Sequence, residues 1–555
     1  WVFDSQAIGS EFGGTPLTIV TLFGDTPRAL AVTPDGSKVY AAIFNSGNRT
    51  TVIHQVETAD KAAPMANIEG IEAPKTGHIL QFREGHWRDE QDKIFSEAGL
   101  NLPDYDVFTL DATADKPVVT AKVSGVGTTL FNMAVNPVNG QLYVSNTNAR
   151  NHVRFEGPGN NSSTVRQHFV ESRISIVQEN EVLIRNLNPH VSPTQAVVSP
   201  EEKRASVATP LQMAPTRDGK GLYLAAMGSN KISRYDIQAL SRGDWQPLAQ
   251  QHIEVTGGGP TGIVLDSQEK YGYVLTRFDN GLSVLDLADG SERRHIRMYN
   301  PEPESITAGR PFLYDATLTS NNGTSSCAGC HVFADTDHLS WDLGNPDDVV
   351  KADPHPEVPF SRPTTGSFIE RQATFHPMKG PKSTQSFRGM ANHGPLHWRG
   401  DRTGMNPVAG ETQEAAAFKE FNGAFEGLVG RDAPLAADQM QAFTDFAMRL
   451  SYPPNPLRPL DNQLTGDLAE GHRVYTELAT SGDFETKDGE NLGCNSCHVL
   501  EPEKGHYGSS VTMVAVLGNN NQDFKTPHFR NLYQKVGFFR EGPHMPQIRG
   551  FGFSQ

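Results

Sequence analysis

A chain of 555 residues is long enough for two to four domains at about 150 residues each. Its 52 glycines, 37 prolines and mean hydropathy of −0.46 describe a turn-rich globular protein with ample polar surface, not a disordered one. A net charge of −16 argues against nucleic acid or anionic lipid as a partner and suits a basic protein partner. No stretch approaches ~18–20 uninterrupted apolar residues, so no membrane span is expected.

The first 300 residues read as short β-strands with regular punctuation. Four segments, 26–40, 130–143, 209–223 and 259–273, each run as an apolar strand, a polar turn and a second strand ending on Tyr40, Tyr143, Tyr223 or Tyr273. The first three turns carry Asp-Gly or Asn-Gly, which accept the positive φ of a tight hairpin turn. The fourth has Asp266-Ser-Gln instead. The tyrosines are 103, 80 and 50 residues apart, compatible with units of roughly 40–50 residues, the length of a four-stranded propeller blade. On that period the two longer gaps each hold a further blade, with strands at Asp106–Asp111 and Ser172–Val177. A pair of β-sandwiches is the alternative architecture. Two inserts break the rhythm: 60–104, with His78, His86 and Trp87, and 148–172, with Arg150, His152, Arg154, Arg166 and His168. Such loops are either binding elements on a rigid scaffold or ordinary solvated connections.

From about residue 301 the pattern changes to helices, expected at 411–427, 435–450 and 462–478. In the second, Ala436, Met440, Phe443 and Ala447 recur at helical spacing; in the third, Leu464, Leu468, Tyr475 and Leu478 do so. All four cysteines of the chain fall in two strings, Cys327-Ala-Gly-Cys330-His331 and Cys494-Asn-Ser-Cys497-His498. Cys-x-x-Cys-His is the attachment signature of c-type haem: two sulfurs bond the porphyrin and the histidine supplies the proximal nitrogen to iron. Zinc would want four Cys/His ligands, and each string offers three at most. A thioredoxin-like pair has no need of the histidine. Two covalently bound haems c are therefore expected, held by Cys327, Cys330, Cys494 and Cys497, with iron bound by His331 and His498. Thioether attachment takes place outside the cytoplasmic membrane, so a bacterial periplasmic, secreted or cell-surface protein is expected. The first residue is Trp1, consistent with a removed export signal.

The repeated N-terminal hairpins resemble the YVTN-type β-propeller family, and that resemblance implies seven blades over residues 1–300. The segment 309–331 and a duplicated Thr-x-x-Phe-Arg element, Thr384–Arg388 and Thr526–Arg530, resemble the bacterial dihaem cytochrome c peroxidases. The fold class expected is thus multidomain: an all-β seven-bladed propeller, then a mainly α-helical dihaem cytochrome c region with haem domains at 301–460 and 461–555. The resemblance implies peroxide reduction at haem 1 with electrons passed on by haem 2. By position it implies His376 as a removable distal ligand, with His393 and His397 as runners-up. It also implies Trp398 as an inter-haem relay and Glu411 or Glu414 as the acid/base carboxylate. Relatives continue past Phe553 into a His-Asp-Gly stretch and a further helix; either such a tail follows Gln555 here, or the sixth ligand of haem 2 comes from Met513, His544 or Met545. A small periplasmic donor, a cytochrome c or a copper protein, is the implied electron partner, and the propeller is free to hold a protein partner or substrate. A calcium ion between the haem domains is a further family feature. Two other functions fit the same residues: oxidation or oxygenation of an organic or protein substrate by a high-valent iron, and non-enzymatic electron transfer with the propeller as docking module.

Overall fold

The computed structural model describes the chain apart from residues 8–13, 54–64, 97–103, 161, 163, 180, 193–194, 196, 355–359, 362–373, 455–458, 460, 478–484, 487–494, 496–497, 501–511, 515–521, 526–527, 529–537, 541–546 and 550–555. The chain is mostly β and multidomain, with propeller-like sheets first and helices after. Strands β1 (Asp25–Val32) and β2 (Lys38–Asn45) begin the first blade. A small inserted sheet follows, β3 (Thr50–Ile53), β4 (His78–Arg83) and β5 (His86–Arg88). Strands β6 (Val107–Asp111) and β7 (Val118–Val123) then complete the blade in the order β1-β2-β6-β7.

The second blade is β8 (Thr129–Val135), β9 (Leu142–Ala149), β10 (Val170–Gln178) and β11 (Glu181–Asn186), an antiparallel meander joined to the first blade by one bridging pair, Asn45 with Thr129. The third is β12 (Pro210–Pro215), β13 (Gly221–Ala226), β14 (Lys231–Asp236) and β15 (His252–Glu254). The fourth is β16 (Pro260–Leu265), β17 (Tyr271–Thr276), β18 (Gly281–Asp286) and β19 (Ser291–Arg297). The first strands β1, β8, β12 and β16 run beside one another in that order. Apolar residues fill the spaces between successive blades, among them Ala42, Leu130 and Val144 between the first two, and Tyr143, Ile174 and Leu224 between the next two.

Among the described residues this makes four blades over 25–297, and the expected seven are corrected accordingly. The strands at Asp106–Asp111 and Ser172–Val177 belong to the same blades as Tyr40 and Tyr143, where they are the third strands. The long tyrosine gaps come from chain inserted within blades 1 and 2 and from a connection containing the short Pro200–Ala205 helix, capped by Ser199 with Glu202.

After β19 the chain turns helical at Glu304–Gly309 and Pro311–Tyr314. These pack on the long Ala437–Arg449 helix, whose Met440, Phe443 and Ala447 are buried as their spacing predicts. The crossing is close: a Cβ on Gly309 would stand 2.4 Å from Cβ of Phe446, so only glycine fits there. The expected 411–427 helix forms as Gln413–Lys419, a 3-10 turn and Ala424–Gly427. The third forms as Asp467–Glu477 and buries none of its residues; Leu468 is 60% exposed.

Both inserts clasp the chain beyond β19, where short helices alternate with two-stranded pairs, so neither is a plain solvated loop. In the second, Arg154 pairs with the buried Asp342 at 2.8 Å, and Asn151 donates to the Ser340 carbonyl at 3.0 Å. The backbone N–H groups of Glu156 and Gln167 donate to the carbonyls of Gly344 and Leu428. In the first, Ile68 N–H donates to Pro346 O and Val350 N–H donates to the Glu69 carboxylate. His78 is buried beside Asp89, 3.7 Å away, and Trp87 is buried beneath Phe82.

Candidate functional site

Cys327-Ala-Gly-Cys330 forms a single 3-10 turn closed by the Cys330 and His331 N–H groups, both directed at the Cys327 carbonyl. The turn is wedged against blade 2, because Gly329 leaves no room for a side chain beside Phe169 and Val170. Just beyond it the backbone passes through φ 51° at Phe333 and 62° at Ala334. That left-handed step sends the Phe333 ring between the first two blades, stacked on Phe44 at 5.7 Å and edge-on to Phe131 at 5.9 Å. Arg28 caps both Phe44 and Phe333.

The Thr384–Arg388 element wraps His331. Gln385 O lies 2.8 Å from His331 Nδ1. Phe387 sets its ring edge-on to the imidazole at 4.4 Å and ties its N–H to Ala334 O, and Arg388 pairs with Asp335 at 3.4 Å. A carbonyl can only accept, so Nδ1 carries the proton and Nε2 keeps its lone pair for a metal. Burial pushes the imidazole down to about 4 and the Cys327 thiol up to about 11, and it raises the Cys330 thiol well above its usual value. The motif is thus uncharged at neutral pH: two protonated thiols and a neutral imidazole, the forms that haem addition and iron ligation use. Among the described residues no group of three or more His, Cys, Asp or Glu is placed to hold a metal ion.

The remaining predicted residues separate into two places. His376 lies half-buried against the first insert. Met378 N–H donates to its Nδ1 at 3.0 Å, and its Nε2 faces Ile71 O at 3.4 Å, so both ring nitrogens are occupied locally. His397 repeats the arrangement of His331: Nδ1 stands 3.1 Å from each Asp401 oxygen, and its charge bears on His331. Burial lowers His397. Burial also works against the Asp401 charge, but His397, Lys379 and Arg402 outweigh it and hold that carboxyl far below the usual range.

Trp398 donates its indole N–H to Ser383 O at 2.6 Å, and its own carbonyl accepts from Lys525 N–H at 2.7 Å. It therefore sits where the second half of the chain crosses the first. Around it, Lys525 is buried, with Nζ against His393 Nδ1 and Pro395 O, and burial pushes its amine down to about 7. His393 and His528 meet edge-on at 4.7 Å. Glu414 accepts from Gly394 N–H at 2.8 Å and bears on Lys525, which aims it into this junction. Glu411 is turned away into an ion pair with Lys419 at 2.5 Å, which holds it below the usual carboxylate range. Cys494, Cys497, His544 and Met545 lie outside the described residues, as do Thr526, Phe529 and Arg530 of the second repeat element. His498 is described, and its carbonyl accepts from the Tyr475 hydroxyl.

Two features were not visible in the sequence. The partner of His331 is a backbone carbonyl, which no side-chain pattern announces. Lys525, an isolated lysine in the chain, becomes notable only once folding buries it. The His397–Asp401 spacing was the one available signal for the second histidine.

No family model and no curated protein matches this chain. Among solved structures it is similar to a putative 6-phosphogluconolactonase from Bacteroides fragilis, at 14% identity and TM-score 0.28, covering 52% of this chain and 62% of that one. It is similar to the periplasmic gluconolactonase of Pseudomonas aeruginosa at 11% identity and TM-score 0.29, over 52% of this chain and 62% of the other. Hydrazine synthase of Kuenenia stuttgartiensis overlaps at 16% identity and TM-score 0.26, over 48% and 73%. The chain thus spans about three fifths of the length of the first two. The blade architecture rests on the strand pairing itself.

Proposed function

We propose that this chain is an exported dihaem c-type oxidoreductase that reduces hydrogen peroxide at its first haem, with electrons entering through the second from a small periplasmic donor. The observation that carries the reading is the proton placement on His331. Its Nδ1–H is spent on Gln385 O, inside a turn that presents both thiols of the attachment motif. The Thr-x-x-Phe-Arg element at Thr384–Arg388 is then a device for orienting the proximal histidine. The helix pair crossing at Gly309 and Phe446 is the core of the first cytochrome domain.

A bound haem supplies a redox-active iron; the rest falls to side chains. Cys327 and Cys330 hold the macrocycle, and Gln385 and Phe387 fix the ring of His331. His397, with Asp401 holding its Nδ1 proton, suits the removable distal position better than His376. Peroxide cleavage needs one proton moved between two oxygens. Glu414, aimed into the junction beside Lys525, is the carboxylate placed to carry it, and Glu411 is not. Trp398 bridges the two halves through its carbonyl and indole, the position an electron relay needs.

The test is an EPR and absorption series on the full chain, oxidised and half-reduced, with peroxide consumption followed under an artificial reductant. The reading expects an iron that becomes five-coordinate on half-reduction, together with peroxide turnover. Two low-spin irons in every redox state and no turnover would overturn it in favour of plain electron transfer.

A further inference from the structure

A cleft of about 660 Å³ opens where blades 3 and 4 meet the helical part. That volume is in the range of small-molecule sites, roughly 300–1,000 Å³. Cys327, Cys330 and His331 do not line it; it touches the attachment motif through Phe333, Ala334 and Arg388. Its lining is rich in positive charge. Four guanidinium groups, Arg277, Arg310, Arg388 and Arg449, line it against a single carboxylate, Glu302.

Two of these cations are spoken for. Arg277 holds Glu302 through two bonds of 2.8 and 2.7 Å, and Arg310, 4% exposed, holds it at 2.5 Å. Arg388 meets Asp335 at 3.4 Å from outside the cleft. Arg449, on the last turn of the Ala437–Arg449 helix, has no ion-pair partner among the described residues. Between the charges the walls are apolar: Met227, Ile306, Phe446 and Leu450. Burial pushes the Tyr314 hydroxyl up to about 12, so it stays a donor. A cleft that offers cations and neutral donors, with apolar walls and one already neutralised acid, is built for an anion with a hydrophobic body. Set in a chain of net charge −16, it is a local inversion of the field that favours an anion in the cleft.

We propose that this cleft binds a small organic acid, an aromatic or branched aliphatic carboxylate, with the carboxylate on Arg449 and Arg388 and the body against Phe446 and Ile306. The proposal does not depend on the peroxide reading. It commits to an external ligand, and the competing source of the same chemistry is the propionate groups of a haem held at the neighbouring motif.

The experiment is calorimetric titration of the full haem-loaded chain with benzoate, and with benzyl alcohol as the uncharged control. Saturable benzoate binding is expected, with benzyl alcohol at least about tenfold weaker, as loss of a charge-assisted contact predicts. R449Q, at an exposed helix end, should weaken benzoate about tenfold and leave the far-ultraviolet circular dichroism unchanged. R388K, which keeps the charge but loses the fork, should fall between the two. Benzoate and benzyl alcohol binding equally, or R449Q binding benzoate as the wild type does, overturns the proposal. So does the absence of benzoate binding together with a haem absorption shift in R388K, which assigns the guanidinium groups to the propionates.

Discussion

A Cβ placed on Gly329 would stand 2.6 Å from Cγ2 of Val170, closer than real Cβ contacts come. Gly329 is the second variable residue of the first cysteine motif, and Val170 opens the third strand of blade 2. The motif is therefore built against blade 2 and not beside it. Gly329→Ala should cost about 1–3 kcal/mol through overpacking against Val170 and Phe169. Val170→Ala in the same chain should return part of that loss, because it removes the methyl groups in the way. Urea melts of the two single variants and the double variant measure the coupling. Additive losses would contradict the contact.

Glu302 ties blade 4 to the first helix after it. The guanidinium of Arg277, with that of Arg310 behind it, holds its carboxyl down to about 2. A carboxylate with a depressed folded pKa adds stability above its unfolded value near 4.5 and loses it as the pH falls toward about 2. Glu302→Gln should therefore be less stable at pH 7, on the order of 2 kcal/mol once solvent screening at the half-exposed Arg277 is allowed for. The gap should close between about pH 4.5 and pH 2. Denaturant midpoints for both proteins across that window provide the check, and a gap independent of pH would refute the pairing.

His397 and His376 make opposite predictions. If His397 stands at the first iron, His397→Ala should change the absorption and EPR signals of one haem and leave the other as it was. His376→Ala should leave both spectra intact, since its ring is occupied by Met378 N–H and Ile71 O. The reverse pattern would restore His376 to the distal position.

The hairpins were legible because their turns are local chemistry. Gly36, Gly140 and Gly219 take φ of 71°, 73° and 67°, as Asp-Gly and Asn-Gly turns require. The fourth turn places Glu269 at the equivalent position with φ 54°, which explains why its sequence looked different. Glu269→Gly should raise stability by about 1 kcal/mol by removing that strain, measurable as a higher melting temperature, although it gives up an exposed contact to Arg217 N–H. Blade number was not legible. Tyrosine spacing cannot distinguish a further blade from chain inserted within one, and both inserts turned out to hold the chain beyond β19 through backbone groups and Arg154. The thiols and His331 could be read from their spacing; the choice between His376 and His397 needed the partners of each ring nitrogen.

The central claim is that Cys327, Cys330 and His331 form a haem c site, with a second at Cys494, Cys497 and His498. Intact-mass spectrometry of the full chain, produced by periplasmic export in a host that makes c-type cytochromes, tests it most directly. The account predicts a mass increase of two haems, and of one haem alone when Cys327 and Cys330 are both replaced by alanine. A wild-type chain that reaches the periplasm folded at its bare polypeptide mass, or with zinc in place of haem, would contradict it.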